Sequence, residues 1–274
     1  DEEYAAYYDQ LFDALLANGI TPMICLEHYE LPGYLLEKYG GWGSKTVVEL
    51  FVRYAEKVFA RYHPKVTRWF TFNEPIVVQT RVYLDALRWP YEQNTSTWMQ
   101  WNYHKVLATA SVVKRFRELG YPGTVGCILN PEVTYPRSRA PHDLRAAEIY
   151  DLFYNRMFLD PLVHGVWPPE LLALLEQHQV TWETSEEDLA VIREHTVDEL
   201  GINLYYPHRV KAPSRAWHPH TPFHPAWYYE PFELPGRRMN ASRGWEIYPQ
   251  IIFDMAMRIK NDYRNIPWFV AESG

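Results

Sequence analysis

Five short and almost entirely apolar segments, spread along the chain, constrain its fold more than any other feature. They lie at 22–26, 66–72, 124–129, 199–206 and 268–271. Strands that are apolar throughout, without alternation, are buried on both faces, as parallel strands are. Helical segments separate them, so the pattern predicts an α/β fold with a parallel sheet. The two architectures that fit are an open doubly wound sheet and a (β/α)8 TIM barrel.

Helix start and stop signals support this alternation. Apolar residues at the helical period predict a first helix that ends at Gly19, and longer helices are predicted over 97–119 and 143–159. Thr46 with Glu49 predicts a capping box, and Ser185 predicts the start of a short acidic helix.

The composition around the strands favours the barrel. No glycine-rich loop follows any strand and the chain has only 13 glycines, which argues against a NAD-linked α/β oxidoreductase. Polar residues at the strand ends instead suit a barrel, where active sites form at the carboxyl ends of the strands. We therefore predict a single domain over 1–274, and we expect the segment 217–236, rich in Pro, His and aromatic residues, to form a long loop over one barrel face.

Charge and cysteine content exclude several classes of partner. The net charge of -7 and the lack of a basic run argue against nucleic acid, and no stretch of about 18 apolar residues predicts a membrane span. Cys25 and Cys127 each lie in an apolar run, so we expect buried free thiols and a reducing, cytoplasmic location. Nothing in the sequence calls for a cofactor. His218, His220 and His224 lack acidic or cysteine partners at ligand spacing, so we predict no metal site.

Two glutamates directly follow apolar strands. Glu74 comes after the second strand and Glu272 after the fifth, so a barrel would direct both into one pocket. Cutting a glycosidic bond requires such a pair, one acid to protonate the leaving oxygen and one carboxylate to attack or to activate water. Position alone leaves open that both are ordinary residues at strand ends. Other strand ends, however, carry His, Asn and Tyr, which hydrogen-bond sugar hydroxyls.

These segments together resemble glycoside hydrolase family 1, the β-glucosidase family. The segment at 71–75 resembles its acid/base motif, and that at 271–274 resembles its nucleophile motif, with Ser273 where the family usually has Asn. Three more segments match in order: HYELP at 28–32, the N-x-Y of Asn203 and Tyr205, and GWEIYP at 244–249.

The resemblance implies a role for each matching residue. Glu74 would be the acid/base and Glu272 the nucleophile. His28 and Asn73 would bind sugar hydroxyls, Asn203 would support the acid/base, Tyr205 would orient the nucleophile and Trp245 would form a wall for the aglycone.

The flanking segments resemble one branch of this family. The stretches at 39–42, 235–240 and 265–269 are similar to bacterial 6-phospho-β-glucosidases and 6-phospho-β-galactosidases. The substrate expected from this is a small β-glycoside, with a 6-phosphorylated sugar in that branch. The alternative is a catalytically silent, sugar-binding or regulatory relative with the same fold.

The family barrel has two strands before the first helix of this chain and one after Glu272. By that count the chain contains five of the eight strand and helix units. An open barrel exposes strand edges and apolar surface, so we expect the 274 residues alone to be inactive or prone to aggregate.

Overall fold

A five-stranded parallel sheet forms the centre of the protein in the computed structural model, which describes residues 1–216 and 221–274. Its strands are β1 (Met23–Glu27), β2 (Arg68–Asn73), β3 (Thr124–Leu129), β5 (Glu199–Leu204) and β8 (Trp268–Ser273), which lie side by side in chain order, and all four neighbouring pairs are parallel. A doubly wound sheet reverses its strand order at a switch point. The observed order does not reverse, so the sheet is an arc of a barrel. Outside this sheet lie β4 (Thr134–Pro136), β6 (His208–Lys211) and β7 (Glu230–Pro231).

Helices connect the sheet strands and cover the sheet. Two of them, Val77–Gln79 and Pro141–Asp151, continue into π-helical turns at Thr80–Leu84 and Leu152–Arg156. Short 3-10 helices occupy Gly41–Gly43 and Pro225–Trp227. The α-helices are α1 (Glu2–Ala17), α2 (Gly33–Tyr39), α3 (Lys45–Tyr62), α4 (Val77–Gln79), α5 (Thr95–Leu119), α6 (Pro141–Asp151), α7 (Met157–His164), α8 (Pro169–Gln177), α9 (Glu186–Glu194) and α10 (Gln250–Asp262).

The five predicted strands are confirmed, and their ends differ from the prediction by one or two residues. The strand β5 ends at Leu204 and leaves Tyr205 and Tyr206 beyond the strand. Of the predicted caps, Ser185 is confirmed, because its Oγ accepts from the Asp188 amide at 3.2 Å.

The capping box at Thr46 was wrong. Ser44 has the extended backbone of an N-cap, with φ -110° and ψ 132°, and its Oγ accepts from the Thr46 amide at 3.3 Å. The helix α3 therefore begins before Thr46, which belongs to its first turn.

The helix predicted over 143–159 is longer than expected. It runs through α6, a π-helical turn and α7 to an end at Gly165, whose φ is 76°. The helix α8 was not predicted. The segment 217–236 forms the 3-10 helix Pro225–Trp227 and the strand β7, which pairs with β6 in a small second sheet, β4-β6-β7. Its first part, 217–220, lies outside the described residues.

The core lies between the sheet and the helices α3 and α5. Trp69 of β2 and Val125 of β3 are fully buried, and the Trp69 ring meets Phe59 of α3 with ring centroids 4.9 Å apart. This apolar layer fixes α3 and α5 against the outer side of the sheet. The polar residues at the carboxyl ends of the strands are thereby directed toward one end of the barrel.

Candidate active site

A cavity of about 650 Å³ opens at the carboxyl ends of the sheet strands. Both candidate catalytic carboxylates line it, and so does every candidate substrate-binding residue: Glu74, Glu272, His28, Asn73, Asn203, Tyr205 and Trp245. The structure therefore brings together side chains from four different strand ends and one loop.

Glu74 has an unusual backbone conformation. Its φ is 46°, in the left-handed region that non-glycine residues seldom adopt, and the pairing register of β2 with β3 shifts between Phe70 and Asn73. The Glu74 amide donates to the Ile128 carbonyl at 2.8 Å, which fixes the turn. Backbone strain of this kind concentrates at functional sites.

The carboxylate of Glu74 has two donors. Asn203 Nδ2 donates to Oε1 at 3.0 Å, and the Tyr29 hydroxyl donates to Oε2. Each oxygen is thus held by a different side chain, one from β5 and one from the loop after β1. The orientation of the carboxylate is fixed from two sides.

A chain of amide contacts extends from Glu74 across the base of the cavity. Asn203 Nδ2 also donates to Asn73 Oδ1 at 3.1 Å, and Asn73 Nδ2 lies 3.2 Å from His28 Nε2. Because the Asn73 amide nitrogen can only donate, His28 Nε2 is the acceptor. Asn73 and Asn203 are buried, whereas His28 is exposed at the cavity.

Glu272 lies in β8, where its Cα pairs in register with that of Asn203 in β5. The Tyr205 hydroxyl donates to Glu272 Oε2. Burial raises the pKa of Tyr205, and the hydrogen bond and charge of Glu272 raise it further, so the hydroxyl remains a donor at neutral pH. The Tyr205 ring also meets Trp245, with centroids 5.1 Å apart, so Tyr205 connects Glu272 to the Trp245 ring.

Tyr29 is a residue of the cavity for which no role was predicted. Its φ is 73°, and burial together with the hydrogen bond to Glu74 raises the pKa of its phenol. The only sequence signal was its place next to His28 in the HYELP segment.

A second polar cluster on the far wall of the cavity was also missed. The Tyr150 hydroxyl donates to Glu132, and His208 Nδ1 lies 2.9 Å from that hydroxyl and 3.1 Å from Glu132 Oε2. Burial lowers the pKa of His208, with Glu132 acting in the opposite direction. These three residues belong to separate segments without a recognisable motif, so only their tertiary placement reveals the cluster.

Within 1–216 and 221–274, no group of three or more His, Cys, Asp or Glu residues is arranged to hold a metal ion. His224 has a local role, because its Nδ1 accepts from the Ala226 amide at 2.9 Å and caps the 3-10 helix. His218 and His220 lie outside the described residues.

The two cysteines are free, but only Cys127 is buried as expected, because Cys25 in the middle of β1 is half-buried. Burial raises the pKa of each thiol to about 12. None of the helices in the described part of the chain is long and apolar enough to span a bilayer.

Known proteins resemble the chain along its whole length. It is 39% identical over 274 residues to the 6-phospho-beta-glucosidase GmuD of Bacillus subtilis, a match covering 100% of this chain and 59% of the relative. It is 34% identical over 210 residues to the aryl-phospho-beta-D-glucosidase BglH of the same organism, covering 75% of this chain and 44% of the relative.

Among solved structures, the family 1 β-glucosidase of Thermotoga maritima superposes with a TM-score of 0.86 at 27% identity, covering 100% of this chain and 59% of that one. The predicted fold, an incomplete (β/α)8 barrel, is thereby confirmed. The chain spans about three fifths of the length of these full-coverage matches. The family model for glycosyl hydrolase family 1 matches residues 1–274, and the chain belongs to that family.

Proposed function

We propose that the protein carrying this chain is a retaining β-glycosidase that hydrolyses β-glucosides, and that residues 1–274 contribute one catalytic domain. The observation that supports this most strongly is the placement of Glu74 and Glu272. They line the same cavity, and each is held by its own side-chain donors. Two carboxylates on one pocket are what a double displacement at a sugar requires.

In the first step of the proposed mechanism, a Glu272 oxygen attacks the anomeric carbon while Glu74 donates its proton to the leaving oxygen. The glycosidic bond breaks, the aglycone departs as an alcohol, and the sugar remains as an ester on Glu272. In the second step, Glu74 takes a proton from water. The water oxygen attacks the anomeric carbon as it loses that proton. The ester bond between the sugar and Glu272 breaks, and Glu272 is released as a carboxylate.

The residues around Glu74 and Glu272 have chemistry that suits this two-step mechanism. In the proposal, Tyr205 orients Glu272, Asn203 orients Glu74, and His28 and Asn73 bind sugar hydroxyls. In the proposal, Trp245 forms the wall for the aglycone together with Tyr206, whose ring centroid lies 5.1 Å from that of Trp245. Aromatic faces of this kind suit the apolar faces of sugars and aryl groups.

For the substrate class, we propose 6-phospho-β-glucosides. The first support is the resemblance of the segments at 39–42, 235–240 and 265–269 to bacterial 6-phospho-β-glucosidases and 6-phospho-β-galactosidases. The second is the similarity of the chain to relatives whose names specify a phosphorylated glucoside. Such a substrate and the two free cysteines fit a cytoplasmic enzyme.

The second candidate is a catalytically silent, sugar-binding relative. The retained pair of glutamates, each with its donors, favours the enzyme over this alternative. Turnover of chromogenic aryl β-glycosides, with and without a 6-phosphate, by the whole protein that carries this sequence separates the two. Tight binding without turnover of either substrate would support the silent relative.

The roles of the two glutamates are tested by azide rescue. Glu74→Ala should still be glycosylated by activated aryl substrates, and azide entering the vacated space should give the β-glycosyl azide after two inversions. Glu272→Ala lacks the nucleophile, so azide should attack the substrate directly and give the α-azide. NMR of the two products determines their configuration. The same configuration from both variants would show that the assignment is wrong.

A further inference from the structure

The side chain of Lys105 is buried close beneath the acid/base motif. It belongs to the middle of α5, and only 1% of its surface is exposed. A lysine in such a place is costly unless its ammonium group finds charged or polar partners. The neighbours of its Nζ therefore indicate what keeps it there.

Those neighbours connect two strand ends of the site. Nζ donates to the carbonyl oxygen of Pro75 at 3.2 Å and lies 3.9 Å from Oε1 of Glu27. It also lies over the rings of Phe72 and Trp42, 5.3 and 5.8 Å from their centroids. The ammonium group is thus enclosed by aromatic faces, one carbonyl and one carboxylate.

Pro75 directly follows Glu74, whose backbone is in the left-handed region. Proline has no amide hydrogen, so its carbonyl is the hydrogen-bonding group of the backbone just after Glu74. Lys105 supplies the donor for that carbonyl. The Glu74 amide is held on its other side by Ile128.

Glu27 is the last residue of β1 and pairs in register with Phe72 of β2. It is 7% exposed and directly precedes His28 and Tyr29, which contact Asn73 and Glu74. A single buried ion pair therefore spans the ends of β1 and β2 at the points where both motifs begin.

We propose that Lys105, held by Glu27, is a positioning residue that fixes Glu74 for proton transfer to the leaving oxygen. The inference rests on the proposed acid/base role of Glu74. It goes further, because neither Lys105 nor Glu27 lines the cavity that holds Glu74 and Glu272. Neither was among the candidate site residues. The proposed positioning role follows from the backbone that the pair anchors, which is the segment directly after Glu74.

The test uses the different demands of two substrates. An aryl glycoside with a dinitrophenolate leaving group departs without protonation, whereas an unactivated phenyl or alkyl glycoside needs the proton from Glu74. A displaced acid should therefore slow only the second substrate. Since kcat/KM reports events up to cleavage of the glycosidic bond, the ratio of the two kcat/KM values measures the position of the acid.

The variants are made in the whole protein that carries this sequence. Lys105→Met leaves Glu27 buried without a partner, so the main variant is the double substitution Lys105→Met with Glu27→Gln, which removes both buried charges. Lys114→Met, on the exposed side of the same helix, is the matched control. Circular dichroism and thermal unfolding establish that each variant is folded.

We expect the double variant to lose about 10- to 100-fold in kcat/KM for the unactivated substrate, as a misplaced catalytic group does, and less than about threefold for the dinitrophenyl glycoside. Labelling of Glu272 by a dinitrophenyl 2-deoxy-2-fluoro glycoside, followed by intact mass, should keep its wild-type rate. Lys114→Met should change neither value.

If the wild-type protein is active, equal losses of kcat/KM for both substrates in the double variant would overturn the inference. No loss of kcat/KM for either substrate would also overturn it. A double variant that does not fold while the control does would also overturn it, because the pair would then be structural. If wild-type protein hydrolyses neither substrate, the proposed function itself fails, a result that none of the other outcomes resembles.

Discussion

Glu74 and Glu272 have similar sequence surroundings, since each follows an apolar strand and precedes a small or turn-forming residue. Their structural surroundings differ. Glu74 lies just after β2 with a left-handed backbone and receives hydrogen bonds from Asn203 and Tyr29. Glu272 is still within β8 and receives one from Tyr205. The two carboxylates thus have different backbone conformations and different hydrogen-bond donors.

At the residue scale, Tyr205→Phe tests whether the Tyr205 hydroxyl orients Glu272, the proposed nucleophile. A hydrogen bond to a charged group contributes about 1.5–3 kcal/mol, so losing it from Glu272 should lower kcat/KM roughly 10- to 100-fold. Tyr4→Phe, at a position 69% exposed on α1, is the control and should have no effect. Steady-state kinetics with an aryl glycoside measures both. An unchanged kcat/KM for Tyr205→Phe would mean that this hydroxyl does not assist Glu272.

At the element scale, the sheet strands are packed so closely that one position admits only glycine. A Cβ on Gly126 of β3 would lie 2.5 Å from the Glu199 carbonyl oxygen and 2.8 Å from the Phe70 ring. The backbone of β5 and the side chain of β2 both approach this point. The glycine in the TVGCIL strand therefore reflects packing between strands, not a turn.

The substitution Gly126→Ala should lower the free energy of unfolding by about 1–3 kcal/mol, because the added methyl group forces the strands apart. Gly33→Ala is the matched control, since its Cβ would meet no atom within 4 Å and its backbone does not have a positive φ. That variant should be neutral or slightly stabilising. Urea unfolding followed by fluorescence compares the two. Equal stabilities would contradict the packing argument.

At the scale of the whole molecule, α5 connects several regions through buried polar residues. His104 is 4% exposed, and its Nδ1 donates to the Trp42 carbonyl at 2.7 Å while its Nε2 accepts from Gln100 at 3.0 Å. Both contacts are satisfied by the neutral ring. Burial lowers the pKa of His104 below its ordinary value of 6.5, with the Trp42 contact acting in the opposite direction.

A histidine whose pKa is lower in the folded state than in the unfolded state stabilises the fold above the unfolded pKa. That stability is lost as the pH falls below about 6.5, because the unfolded chain binds the proton more readily. Unfolding free energy should therefore decrease from pH 7.5 to 5, and His104→Gln should make this decrease smaller. His178, His195 and His208, whose pKa values burial also lowers, contribute to the same slope. Urea titrations at several pH values test this, and an identical slope in the variant would refute it.

The strand order of the sheet has a consequence for the whole molecule. Its outermost strands are β1 and β8, and in the described part of the chain neither has a second neighbour. The aligned relatives are longer, since the chain covers 59% of GmuD. The expectation that the 274 residues alone are inactive or aggregate stays a prediction.

The sequence by itself determined the five sheet strands, the longest helices between them and the two glutamates at the strand ends. Apolar runs without alternation identify buried parallel strands through local composition alone, and strand order then follows because each strand pairs with the next along the chain. The motifs around Glu74 and Glu272 are contiguous, so they were readable as short segments. The boundaries were less accurate, as at Thr46, because a cap depends on the backbone angles of one residue, here Ser44.

The tertiary structure alone decided which polar side chains meet. Tyr29 reaches Glu74, Lys105 reaches both Glu27 and Pro75, and Glu132 reaches Tyr150 and His208. The partners are 18 to 78 residues apart in sequence, so no local pattern relates them. Whether a buried lysine or glutamate is tolerated depends on a partner brought by another element. That information exists only once the strands have aligned and the helices have packed against them.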